Sequence, residues 1–153
     1  MIVGQRYSVT TPSGGVTAAA ANNDLFQIAP AAAVPIILHR VVLSANQLSA
    51  LVLPISLLLR TSASTVGTAL TPKNESPAGP AASCTVTYNL STSTGTPGPI
   101  IDQQMWEEFA PYEFNKYPDG TIIAPGTWCC LYLPNNGNPT LGVSFTVEFT
   151  EIK

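Results

Sequence analysis

This sequence is short of charge. Asp, Glu, Lys and Arg make up 10% of its residues, where an ordinary soluble domain carries about 25%. Its six basic residues, Arg6, Arg40, Arg60, Lys73, Lys116 and Lys153, stand singly along the chain, and the net charge is −3. Nucleic acid is gripped by clustered Lys and Arg, and anionic membranes by polybasic runs, so neither partner is expected. Histidine occurs once, at His39, and cysteine three times, at Cys84, Cys129 and Cys130. A single histidine and no Cys-x-x-Cys pair leave nothing with zinc-site spacing, and no cofactor is expected. The apolar stretch from Ile28 to Leu59 is broken by Pro30, Pro35, His39, Arg40, Asn46, Gln47 and Pro54. Its pieces fall well below the ~20 residues a membrane helix needs. The start, Met1-Ile2-Val3-Gly4-Gln5-Arg6, lacks the charged-then-apolar layout of a signal peptide, so synthesis in the cytoplasm is expected.

What replaces charge is Ser, Thr, Asn and Gln, with 14 Pro and 11 Gly, in a chain that is 45% hydrophobic. Disordered chains combine low hydrophobicity with high charge, which this one does not. Its 153 residues suit one domain, 1–153, large enough to fold without a metal or disulfide. Adjacent strand residues point to opposite faces, so Cys129 and Cys130 cannot readily pair, and the three thiols are read as free and buried. Interface cores are depleted in charge, and the composition therefore points to a surface covered by other subunits.

The rhythm is that of strands. Val143, Phe145, Val147 and Phe149 alternate with Ser144, Thr146, Glu148 and Thr150, a period of two that fits an antiparallel strand over a core. Thr127 to Leu133 is apolar on both faces, which suits a central strand or one under a partner. Further strands are read at 6–10, 16–20, 24–29, 35–44, 51–61 and 85–90, with Pro54 marking an edge or bulge. Ile100 to Phe109 is ambiguous: Ile101, Met105 and Phe109 suit a helix by spacing, while the surroundings suit a strand. Short strands separated by Gly/Pro turns predict an all-β, single-domain antiparallel sandwich of jelly-roll type with about eight strands.

Ser62 to Ser83 stands apart as a Ser/Thr/Pro/Gly-rich loop of a length that tends to be functional. It is read as an arm gripping neighbouring subunits, with Val66, Leu70, Pro72 and Lys73 as contacts and Met1, Ile2 and Val3 as a second contact tip. Loop entropy grows slowly with length, so replacing this arm with a short link is expected to spare the sandwich.

Catalytic patterns are sparse. His39 lies in an apolar strand and reads as structural. No Gly-x-Ser-x-Gly elbow occurs. Glu107, Glu108, Glu113 and Asp119 gather near Trp106, but adjacent strand acids face opposite ways, against the paired carboxylates of a glycosidase. Asn74-Glu75-Ser76 and Asn89-Leu90-Ser91 match the glycosylation sequon by chance. No catalytic residues are assigned, and the chain is not expected to be an enzyme.

The order of short blocks carries a resemblance. It runs from Gly4-Gln5-Arg6-Tyr7-Ser8-Val9-Thr10 through Asp24-Leu25-Phe26-Gln27-Ile28-Ala29-Pro30-Ala31 to Pro35-Ile36-Ile37-Leu38-His39-Arg40-Val41-Val42-Leu43. Leu59-Arg60, Tyr88-Asn89-Leu90-Ser91-Thr92, Ala124-Pro125-Gly126-Thr127 and the closing strand Val143 to Glu151 follow. In this order the chain resembles small head proteins of tailed bacteriophages and prophages. The resemblance implies a capsid decoration, or cement, protein: a jelly-roll-like sandwich that trimerises on the major capsid protein at the outer surface of the phage head. It also favours a strand for Ile100 to Phe109. Two rival readings are a carbohydrate- or receptor-binding module of a tail fibre, using an aromatic pocket near Trp106 and Tyr112, and a hydrolase using Glu107 or Glu113 with another acid in a cleft.

Overall fold

A computed structural model describes residues 4–12, 15–18, 22–46, 52–64, 67–90, 95–107, 109–134 and 141–153. Among these there is no helix. The strands are β1 (Gly4–Thr10), β2 (Val16–Thr17), β3 (Asn23–Ala29), β4 (Ile36–Ala45), β5 (Val52–Arg60), β6 (Thr68–Leu70) and β7 (Lys73–Asn74). They continue with β8 (Thr85–Leu90), β9 (Pro97–Glu107), β10 (Tyr112–Asn115), β11 (Thr121–Ile123), β12 (Trp128–Leu133) and β13 (Gly142–Ile152).

They form two antiparallel sheets packed face to face. The first runs β10-β4-β13-β1-β7, with β11 also on β4 and β2 also on β13; the second runs β6-β8-β3-β12-β5-β9. The long strands pair in nested order: β1 with β13, β3 with β12, β4 with β10 and β11, and β5 with β9.

The alternation read in β13 becomes its two faces. Val143, Phe145, Val147 and Phe149 are buried, while Ser144, Thr146, Glu148 and Thr150 are half-exposed on the outer face. Tyr7, opposite Phe149 in register, stacks on it at 5.5 Å. Phe26 of the second sheet meets Phe145 of the first at 5.2 Å, so the faces interdigitate. Each such ring removed from water contributes roughly 1.5–3 kcal/mol.

β12 lies between β3 and β5, which accounts for its apolar character on both sides. Cys129, Leu131 and Leu133 enter the core, while Cys130 lies beside Leu58 in register, buried outside that core. All three cysteines are free and buried. Ile100 to Glu107 is strand, paired with β5, and the helical spacing of its apolar residues has no structural counterpart. Pro54 sits where β5 has a partner on one side only: β9 reaches Val52, but pairing with β12 stops at Ser56. A proline is tolerated on such a one-sided stretch of strand.

Candidate functional site

The segment 62–83 is less an arm than a band woven into one edge of both sheets. Its β6 adds to β8 of the second sheet, and its β7 adds to β1 of the first. Leu70 packs against the core, and Pro72 is half-buried. Lys73 pairs with Ser8 through the backbone and keeps its side chain exposed. The remaining contact residues read from the sequence, Met1, Ile2, Val3 and Val66, lie outside the described residues.

Three polar clasps hold the band. Its first residues cross the outer face of the second sheet beside Gly95 and Thr96. There Arg60 donates to both oxygens of Asp24, at 2.8 Å and 2.7 Å, and to the Gly95 carbonyl at 2.6 Å. Ser64 donates its hydroxyl to Asp24 and its backbone N–H to Gln27 Oε1. Asp24 and Arg60 are almost wholly buried. In the middle, Asn74 donates to the Pro80 carbonyl at 2.8 Å and Tyr7 donates its hydroxyl to the same carbonyl at 3.2 Å. At the far end the fully buried carboxylate of Glu151 accepts from Ser83 N, Ser83 Oγ and Cys84 N, at 2.6, 3.0 and 2.7 Å. Lys153 sits 3.0 Å from its other oxygen. Burial pushes this carboxyl up, but the Cys84 N–H, Lys153 and Ser83 together hold it below the usual carboxylate range. Between the clasps, residues 75–78 remain exposed.

At the opposite edge of the second sheet the surface is apolar. Val52, Pro54 and Met105 are exposed neighbours on one face, because Pro54 lies opposite Met105 and two residues from Val52. Ile100 and Phe109 are also exposed along this edge. Sequence reasoning did not pick this patch out, because Met105 and Val52 become neighbours only through the pairing of β9 with β5.

Near Trp106 and Tyr112 lies a hollow of about 210 Å³, but neither ring presents a face to it. Trp106 and Tyr112 are 2% and 1% exposed, too little to offer a ring face to a sugar. Trp106 Nε1 donates to the Ala110 carbonyl and Tyr112 donates to Asp102, which closes the gap between the sheet edges at β9 and β10. Glu113 is held by Arg40 at 3.0 Å on the first sheet, whereas Glu107 lies opposite exposed Val52 on the second. These two carboxylates do not converge on a cleft. Glu108 lies outside the described residues.

The lone histidine has a place of its own. A bulge in β4 pairs Arg40 with Glu148 and Leu38 with Phe149, leaving His39 as the extra residue and turning it outward beside Arg40. β10 and β11 form one broken line along β4, and residues 116–120 between them detour over the bulge. The Tyr117 ring stacks on His39 at 4.9 Å with only 5° between planes, and the Arg6 guanidinium lies 5.2 Å from the same ring. Tyr117 donates to Glu148 at 2.6 Å; burial, then this bond, push its hydroxyl up to about 12. Beside it opens a hollow of about 390 Å³ lined by Gly4, Arg6, Ile37, His39, Asp119 and Thr150, with Pro118 at its rim. Among the described residues no group of three or more His, Cys, Asp or Glu is placed to hold a metal ion. Compared with protein-family models, curated proteins and solved structures, the chain matches none of them.

Proposed function

We propose that this chain is a structural virion protein: a decoration protein that binds the outer surface of a phage head as a homotrimer and braces the shell by bridging capsomers. The fold proposed for it is a jelly roll. Supporting that is the nesting of β1 with β13, β3 with β12, β4 with β10, and β5 with β9, the order produced when one long hairpin folds over into two four-stranded sheets. On that reading residues 61–96 are an insertion between β5 and β9, widening both sheets at one edge.

The observation that carries the surface-binding role is the Val52–Pro54–Met105 patch, with Val52 51% and Met105 64% exposed on a chain with few charges to solvate it. Large apolar side chains clustered on a sheet face, next to an edge strand, mark contact surfaces. Lys73, Pro72 and the exposed run 75–78 would supply a second contact at the other edge. Three such units joined in a trimer gain avidity of the order of 10²–10⁴ over one when all can engage. That bracing needs no chemistry.

The test mixes purified protein with undecorated shells of the phage that encodes it and sediments them. Saturable binding is expected, and light scattering should give three times the 16.1 kDa chain mass. Bare shells at micromolar protein overturn the proposal. Met105→Glu with Val52→Glu should leave circular dichroism unchanged and abolish binding; undiminished binding moves the contact to the 75–78 edge.

A further inference from the structure

We propose that the bulged histidine is an acid-sensitive latch: protonation of His39 releases the turn 116–120 from the outer face of the first sheet. His39 is 5% exposed, its Nε2 lies 2.9 Å from Thr150 Oγ1, and its buried Nδ1 has no partner. An unmet N–H costs more than an unmet lone pair inside a protein, so the neutral ring carries its proton on Nε2 and donates it to Thr150. A second proton on Nδ1 creates a donor under the turn with no acceptor to meet it.

The charges around the ring do not welcome an imidazolium either. From β1 comes Arg6, and from β4 itself Arg40. From β13 comes Glu148, which already accepts from Tyr117 at 2.6 Å and Arg40 at 3.4 Å. From the band comes Glu75, facing Arg6 at 3.6 Å. The turn supplies Tyr117, flanked by Lys116 and by Asp119, which is exposed and screened by water. Burial first, and Arg6 second, hold His39 below its ordinary 6.5, against a smaller opposite pull from Glu148. The folded ring is therefore neutral where the freed ring is charged. The closing of the turn is fully stable above pH 6.5 and weakens as the pH falls from there toward the folded value.

Opening the turn relieves the ring, because the Tyr117 ring stacked on it belongs to these five residues; the Tyr117–Glu148 bond and the Arg6 contact open with it. Lys116 N–H donates to the His39 carbonyl, Gly120 N–H to the Lys116 carbonyl, and Tyr117 N–H to Asn115 Oδ1. Local openings of this size occur well below the free energy of global unfolding. Release would widen the hollow over Ile37, Arg6 and Thr150.

Two measurements test this. As the only histidine, His39 gives one imidazole signal in an NMR titration, expected to titrate below 6.5. Hydrogen exchange at the amides of Lys116, Tyr117, Asp119 and Gly120, corrected for intrinsic rates, should quicken between about pH 7.5 and pH 5, by up to about ten-fold for each pH unit below 6.5 until the folded titration is reached, and so by no more than about thirty-fold at pH 5. Amides of β13 should not follow. His39→Phe keeps an aromatic ring under Tyr117 and cannot titrate; its turn should exchange alike at both pH values. His39→Gln, which keeps a donor for Thr150, serves the same purpose if the Phe variant does not fold. Titration at or above 6.5, no acid quickening in the wild type, or the same quickening in a folded variant would each overturn the latch.

Discussion

Replacing Asp24 by Ala perturbs the most buried charge pair among the described residues. Arg60 is 3% exposed and Asp24 not at all. Without the carboxylate, the guanidinium keeps the Gly95 carbonyl at 2.6 Å, the neighbouring Cys130 thiol and the 5.4 Å contact with the Tyr132 ring. Ser64 loses its acceptor as well, although it still receives the Gly95 N–H at 3.1 Å. Removing one member of a buried pair costs about 3–5 kcal/mol, since a charge is left without compensation. Domains have only about 5–15 kcal/mol in total. At about 2–4 °C per kcal/mol for this size, the melting temperature should drop by roughly 6–20 °C. Urea denaturation with an unchanged m-value measures the loss directly. Asp24→Leu combined with Arg60→Met should recover most of it, because apolar pairs of similar volume replace buried ion pairs without the desolvation cost. A single Asp24→Ala variant within about 1 kcal/mol of wild type would refute the reasoning and mean that water reaches Arg60.

Glu151→Gln should cost roughly 1–3 kcal/mol, because it removes the charge from three hydrogen bonds. Since the folded carboxyl titrates below its ordinary 4.5, its contribution is present above that pH and fades as the pH falls further. The variant's stability should vary less with pH in that acid range. The thiols should be inert in the native state: burial, and then Glu151, push Cys84 up to about 12, and burial raises Cys129 and Cys130 too. Reductant should leave the melt unchanged, and thiol titration after denaturation should count three per chain; a reductant-sensitive melt contradicts this. Replacing 62–83 by a short Gly/Ser link should destabilise the sandwich by about 3 kcal/mol or more, since it strips Glu151 and Asp24 of partners and uncovers the core at Leu70. That is the reverse of what loop length alone led us to expect, and a variant as stable as wild type by denaturation would restore the free-arm view.

The sequence by itself determined most of the long strands and, in β13, the face that is buried. Alternation in β13 fixes which side chains enter the core, because the side-chain period of a strand is two whatever it pairs with. Density of Gly and Pro fixed where most of those strands stop. What the tertiary structure decided depends on partners distant in the chain. Ser62 to Ser83 looks like a free loop because its anchors, Tyr7, Asp24 and Glu151, are charged or polar residues inside other strands, with no local pattern joining them to it. Ile100 to Phe109 carries helical spacing, yet the edge of β5 offers backbone bonds that local propensity could not foresee. His39 looked structural, and it is buried; that it lies in a bulge beneath Tyr117 follows from a one-residue register shift between β4 and β13. Such a shift leaves no trace in the sequence of either strand, because register is a property of the pair.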